Sequence, residues 1–169
     1  RLFERGRWTA VGQLGTDWTL PKRRGVLSAS ATAEYQRSRV FEENPYRFSA
    51  VPSDTAMART LVSLRAGLRF DLIPGIWLKA NVGRSHRAPS FYELFGDRGG
   101  VIGNTGLKSE RGMTWDGGFR AQSPGEGAIL EAAYFDHRHT DLIQFVQVSQ
   151  GVGRAQNIGN ARVRGIETT

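Results

Sequence analysis

Polar and apolar positions alternate with a period of two through most of the chain, and the parity of the alternation changes from run to run. Between Trp8 and Trp18 the even positions Trp8, Ala10, Gly12, Leu14, Thr16 and Trp18 are mostly apolar or small, while Thr9, Gln13 and Asp17 stand at odd ones. Successive side chains of a strand point to opposite faces, so this run predicts a two-faced strand. The next run inverts the parity, with Leu27, Ala29, Ala31, Ala33 and Tyr35 against Ser28, Ser30, Thr32, Glu34 and Gln36. Between them PKRRG, Pro21 to Gly25, predicts a tight turn and hence a hairpin.

The same pattern continues along the chain. Thr60, Val62, Leu64, Ala66, Leu68 and Phe70 oppose Ser63, Arg65, Gly67, Arg69 and Asp71. Ile73-Pro74-Gly75 turns the chain into a run where Ile76, Leu78, Ala80 and Val82 alternate with Trp77, Lys79, Asn81, Gly83 and Ser85. After a long irregular interval, Met113, Trp115, Gly117, Phe119 and Ala121 oppose Thr114, Asp116, Gly118, Arg120 and Gln122. A short turn at Ser123 to Gly127 precedes a breaker-free strand reaching about Val148, and a last strand begins near Ala155. That makes about seven strands. Arginines and an aspartate on one face of the third would each cost several kcal/mol in a dry core if unpaired, so the polar face is expected to be wet or heavily paired.

The connections are short at Pro21, long at Glu42 to Ala56, short at Ile73, long at Arg87, short at Ser123, and intermediate to long at Ser149. In an up-and-down antiparallel sheet alternate connections lie at opposite ends. Every tight turn therefore falls on one end and every long loop on the other, the asymmetry of transmembrane β-barrels. Trp8, Trp18, Tyr35, Phe70 and Trp115 sit on apolar faces, where interfacial girdles require them. A soluble β-sandwich also alternates and remains the alternative. Seven strands cannot close an even-stranded barrel, and an open apolar edge cannot face lipid, so residues 1–169 are expected to be part of a larger barrel.

Composition narrows the function classes. A hydrophobic share of 39%, 21 glycines and a mean hydropathy of -0.40 do not suit a thick-cored α/β enzyme. No apolar window approaches the roughly 18 residues of a spanning helix, which leaves strand-built insertion open. The net charge of +7 is scattered singly apart from Lys22, Arg23 and Arg24, so no nucleic-acid track is visible. The absence of cysteine removes thiol chemistry and cysteine-ligated metal. His137, His139 and Asp141 share a strand face at metal-ligand spacing, but no further ligand cluster accompanies them. His86 and Ser90 lack a third member and a strand-turn-helix elbow, so no catalytic residues are assigned and no cofactor is expected.

The longest interval without alternation runs from Arg87 to Glu110, RAPSFYELFGDRGGVIGNTGLKSE. Long loops on a rigid sheet usually carry function. Arg87, Phe91, Tyr92, Phe95 and Arg98 here, with Tyr46 and Arg47 in the preceding long loop, combine stacking area with cationic donors, which suits a large, partly aromatic, anionic ligand. The other reading of the aromatics is that they staple the loop to itself.

HRAPSFYELFG followed by GNTGLKSE resembles the paired signature of TonB-dependent outer membrane receptors, an R-A-P-S-like strand end and re-entry through G-N-P-x-L-K-P-E. YFDHRHTDLI and QNIGNARVRGIE resemble the two strands that follow, so the likeness covers roughly Trp77 to Glu167. It implies a segment of a 22-stranded barrel in the Gram-negative outer membrane, in contact with outer membrane lipid and lipopolysaccharide, with the remaining strands and a plug domain outside 1–169. It further implies TonB-energised import, through that plug, of a siderophore-iron complex or similar large nutrient rather than enzymatic activity; a passive porin-like channel is the alternative. Thr105 and Ser109 replace the family's prolines, which is expected to loosen the loop's re-entry. No histidine lies between Pro89 and Gly103, where haem receptors carry a ligand.

Overall fold

The computed structural model describes residues 3–42, 54–97, 100–125 and 127–169. In chain order it contains β1 (Phe3–Thr19), β2 (Gly25–Glu42), β3 (Asp54–Ile73), β4 (Ile76–Arg87), a short helix α1 (Phe91–Phe95), β5 (Val101–Ile102), β6 (Glu110–Gln122), β7 (Ile129–Ser149) and β8 (Val152–Thr168). All strands join one sheet in the order β1-β2-β3-β4-β6-β7-β8-β5. The seven long strands are the predicted ones, paired antiparallel with sequence neighbours; the two-residue β5 adds an eighth, parallel to β8. Up-and-down order in a single sheet is the barrel reading and not the sandwich, whose core would need a second facing sheet.

Register confirms that the apolar sets share one face. Trp18, Leu27, Leu68, Ala80, Gly117, Tyr134 and Ile166 lie in one continuous row, and Leu14, Ala31 and Leu64 in another. Leu14 is 82% exposed, and Trp8, Val62, Leu64 and Ile166 are exposed on the same face. Apolar area of this extent is unfavourable in water and favourable against lipid. Trp8 meets Tyr35 edge-on at 5.8 Å. From Trp8 to Trp18 the strand climbs about 33 Å, and a tilt of about 35–45° reduces that to roughly 23–27 Å, the height of a barrel's apolar band. Leu14, midway along this band, is expected to tolerate lysine poorly: Leu14→Lys should lower barrel stability by about 2–4 kcal/mol in a urea titration, whereas Gln13→Lys on the opposite face should change it little. Equal effects would contradict the assignment of faces.

The opposite face is heavily paired near the short turns. Glu131 lies between Lys79 and Arg120, the latter at 3.7 Å, and Asn81 donates to Asp116 at 2.8 Å. Arg69 bonds Asp71 at 3.1 Å, and its guanidinium lies 4.9 Å from the Trp77 ring. At the turn itself Gly75 takes φ +81, a backbone conformation that side chains rarely adopt. One expected connection is corrected: β7 and β8 are joined not by an intermediate or long loop but by Gln150 and Gly151 alone, with Gly151 at φ +71. The glycines around Ser149 were a signal of a left-handed turn, not of loop length.

The buried core lies on the polar face at the loop end. Val40, Leu94, Phe95, Leu107 and Ala155 form one cluster, with Met57, Phe91 and Ile143 packed against it. Val40 is on β2 and Ala155 on β8, five strand spacings apart in sheet order, or about 24 Å along a flat sheet. A five-residue helix joins both only because the sheet curls around it. The polar face is thus the concave, inner one.

Candidate functional site

The interval from Arg87 to Glu110 is folded onto the inner face, and the residues of its signature are the ones that hold it there. Pro89 disfavours helix at Ala88, and Ser90 then caps α1. The Ser90 hydroxyl accepts from the Glu93 amide at 3.2 Å while the Glu93 carboxylate accepts from the Ser90 amide at 2.6 Å, a complete capping box. Arg87, the last residue of β4, reaches Glu93 with two nitrogens at 3.3 Å and grips Glu110, the first residue of β6, through Nε at 2.7 Å and through Nη2. Glu110 also accepts the Ile143 amide at 2.9 Å, where the β7–β8 register shifts. One guanidinium therefore closes the loop's entrance, helix and exit together.

The re-entry is stitched to β8. Asn104 donates to the Ala155 carbonyl at 2.8 Å and accepts the Gly106 amide at 3.1 Å. Asn157 accepts the Lys108 amide at 2.8 Å and donates to the Lys108 and Asp141 carbonyls at 3.0 and 2.6 Å. These bonds join GNTGLKSE to QNIGN, the later piece of the sequence resemblance. At Thr105 and Ser109, where the resemblance has prolines, bonds from Asn104 and Asn157 hold the flanking backbone. Val101 and Ile102 cross over to the far edge of β8 and pair with Gly153 and Arg154.

The candidate ligand residues fall into distinct environments. Arg87 is engaged by its two carboxylates. Phe95 is 3% exposed in the core, and Phe91 is half-buried, 4.6 Å from Phe95 and 6.0 Å from the Arg7 guanidinium. Arg7 in turn donates to the Pro89 carbonyl at 2.9 Å and to Ser38 at 3.0 Å. These contacts fit the stapling reading. Tyr92 is different: it is 43% exposed, and its ring lies 5.7 Å from the exposed ring of Phe145. Its hydroxyl donates to Asp97 at 3.1 Å. Local desolvation, then the Asp97 bond, raise the phenol above its ordinary pKa, so it remains a neutral donor at physiological pH. Asp97 also accepts the Gly100 and Val101 amides at 2.9 and 2.8 Å, which fixes the group that orients Tyr92. Tyr46, Arg47 and Arg98 lie outside the described residues.

Sequence reasoning did not single out Glu93, Asn104, Asn157 or Phe145. Serine followed three residues later by glutamate is a capping-box signature and pointed to Glu93. Phe145 carried no such signal, because its inner position depends on the register shift near Asp141, where a non-glycine residue takes φ +58.

Solved structures repeat this fold. The copper transporter OprC is similar over 96% of this chain and 24% of its own, at 22% identity and a TM-score of 0.71. The Serratia marcescens hemophore receptor HasR, in a complex with its hemophore HasA and heme, matches 97% of this chain and 31% of its own, at 18% identity and 0.67. The FrpB iron transporter of Neisseria meningitidis matches 97% and 23%, at 16% identity and 0.65. The chain thus spans about a quarter to a third of these proteins. The model of the family described as TonB dependent receptor-like, beta-barrel matches residues 6–169. With the register, the curl of the sheet and the clamped interval, that match places the molecule: the chain belongs to the TonB-dependent receptor β-barrel family of the Gram-negative outer membrane, a family of barrels and not of enzymes.

Proposed function

We propose that this chain forms wall and outer-end loop of a TonB-dependent importer for a siderophore-iron complex or a similarly large nutrient, energised through TonB and a plug domain in the rest of the protein. The observation that carries the reading is the interval anchored on the inner face, which leaves Tyr92 and Phe145 as an exposed aromatic pair beside Asp97. Two tilted rings and a fixed phenol suit stacking against a planar or catechol-like chelate more than the passage of small ions. The similar structures named above are a copper transporter, a hemophore receptor in complex with heme and an iron transporter, which supports a scarce metal or its complex as the cargo. Tyr92 and Phe145 are the proposed ligand contacts, joined by Tyr46, Arg47 and Arg98 from the loops.

The test uses the full-length receptor in cells starved of iron, given a panel of siderophores, haem and cobalamin. One cargo should support growth only when the receptor and TonB are both present. Tyr92→Ala with Phe145→Ala should weaken binding of that cargo about tenfold, the loss of two stacked rings, with heat-modifiable migration of the barrel unchanged. Uptake that persists without TonB would indicate a passive channel. Unchanged affinity in the double variant would return both rings to a packing role.

A further inference from the structure

The two edges of β8 are occupied differently. One pairs with β7 from Val152 to Thr168. On the other, β5 covers only Gly153 and Arg154. The Gly153 amide donates to the Gly100 carbonyl at 2.8 Å, so the backbone groups of Gly153 point away from β7. Two residues on, the Ala155 carbonyl accepts the Asn104 side chain at 2.8 Å, and the Asn157 side chain then holds the backbone of Lys108. Where the two-residue strand ends, asparagine amides continue its bonding. Nearer the short turns this edge is open. Thr169 and Glu131 exchange both backbone bonds, at 2.8 and 2.9 Å, which turns the odd residues of this stretch toward β7. The amides and carbonyls of Arg162, Arg164, Ile166 and Thr168 therefore lie on the side away from β7, with no strand against them among the described residues. Their parity is opposite to that of Gly153 and Ala155 because the register shifts between His139 and Ile143, where Ile158 has no partner on β7.

Unpaired backbone groups cannot face hydrocarbon, so in the complete barrel another strand lies against the open stretch. The interval decides how far up that strand reaches. From Thr168 to Ile158 the edge runs about 34 Å along β8, or about 24–28 Å in height at a tilt of about 35–45°, which matches an apolar band of about 25 Å. A neighbour paired over that length shields every edge group that meets lipid. Beyond it Gly153 and Ala155 already have their partners, and a strand continuing upward would have to strip β5 and Asn104 from them. That exchange replaces bond with bond and gains nothing in hydrogen bonding. It also pulls at the segment that buries Leu94, Phe95 and Leu107 against Ala155, so apolar area returns to water.

We propose that the interval is itself a piece of the wall: residues 100–108 take the outer end of the β8 edge in place of a strand, and the neighbouring strand of the same chain pairs with β8 only between about Ile158 and Thr168. The seam is independent of the cargo, although it bears on Tyr92, because β5 supplies the Val101 amide that fixes Asp97. Residues 1–169 contain no cysteine, so V101C/G153C can be introduced into the full-length receptor with any cysteine elsewhere replaced by serine. The two positions are directly opposed on paired strands, about 5 Å apart and within disulfide reach. Oxidised in whole cells, this pair should give at least about tenfold more intramolecular cross-link than V101C/R164C, read by mass spectrometry of the linked peptides, with heat-modifiable migration of the barrel unchanged. In hydrogen exchange of the full-length receptor, Asn104→Ala should lower the protection of the Gly153 amide about tenfold and leave the Ile166 amide as protected as before. The exchange measurement needs no cysteine and decides the matter where the pair impairs assembly. A folded barrel without the cross-link, a cross-link only between two molecules, or an unchanged Gly153 amide in N104A would show that the neighbouring strand or a second copy holds the outer end of β8, and would overturn the assignment.

Discussion

Replacing Arg87 by alanine is expected to release the interval between β4 and β6 from the inner face while the seven long strands stay paired. Glu93 and Glu110 keep side-chain exposures of only 10% and 15%, and Arg87 is the cation between them. Removing one partner of a buried pair costs about 3–5 kcal/mol because the remaining charge is left unpaired. Here Arg87 is itself about half exposed, and water can reach the vacated space, so about 1–3 kcal/mol is the realistic loss. The strands lose almost nothing, since each long pair is held by its own ladder. Hydrogen exchange should therefore show amides of α1 and β5 losing about tenfold to a hundredfold in protection, with those of β3 and β6 unchanged. Arg87→Lys keeps the charge but not the fork and should fall between. Full protection of α1 in the alanine variant would mean that packing of Leu94 and Phe95 alone holds the loop.

The strands were legible because each separates two solvents. Lipid on one side and a wet interior on the other impose period-two alternation over nearly the whole length, and a slip of one residue would turn Leu14 inward and Gln13 out. The interval was not legible in the same way. Five residues of helix are too few to express a 3.6-residue period, and two residues of strand too few to alternate. What the sequence did carry there was chemistry at fixed offsets: serine and glutamate three apart, and asparagine after glycine. The partners of those groups lie at sequence separations of 23 for Arg87 and Glu110 and 49 for Lys108 and Asn157, which no local pattern reports.

The same contrast explains the fate of the candidate site residues. Aromatic and cationic types in a long loop suggested ligand contact, yet a curled sheet leaves a loop two surfaces, one against its own wall and one open to the interior. Phe95 and Phe91 take the first and Tyr92 the second. On a helix of one turn, Tyr92 points away from the face shared by Phe91 and Phe95, which are four apart. That offset was readable from the chain; which side would meet the wall was not, because the wall is built from Val40 and Ala155, far away on either side in sequence.

Gly103→Ala is expected to displace α1 by steric exclusion, with every charge of the clamp still present. A Cβ at Gly103 would lie 2.5 Å from the Leu94 carbonyl oxygen, 2.5 Å from the Phe95 carbonyl carbon and 2.6 Å from the Phe95 Cα. All three are backbone atoms, so no side-chain rotation relieves the contact, and either the end of α1 or the segment at Gly103 must move. Moving α1 withdraws Leu94 and Phe95 from the cluster, and burying such a side chain contributes about 1.5–3 kcal/mol. The interval should lose about 2–4 kcal/mol, comparable to or greater than the effect of Arg87→Ala, with loss of exchange protection at Leu94 to Gly96. Gly12→Ala is the control, since a Cβ there meets nothing within 4 Å. Because Tyr92 rides on the same helix, Gly103→Ala should also weaken cargo binding by at least as much as removing the tyrosine, while heat-modifiable migration of the barrel stays intact. Normal binding in a protein whose α1 amides exchange freely would separate the helix from ligand recognition and leave it the task of closing the sheet's inner face.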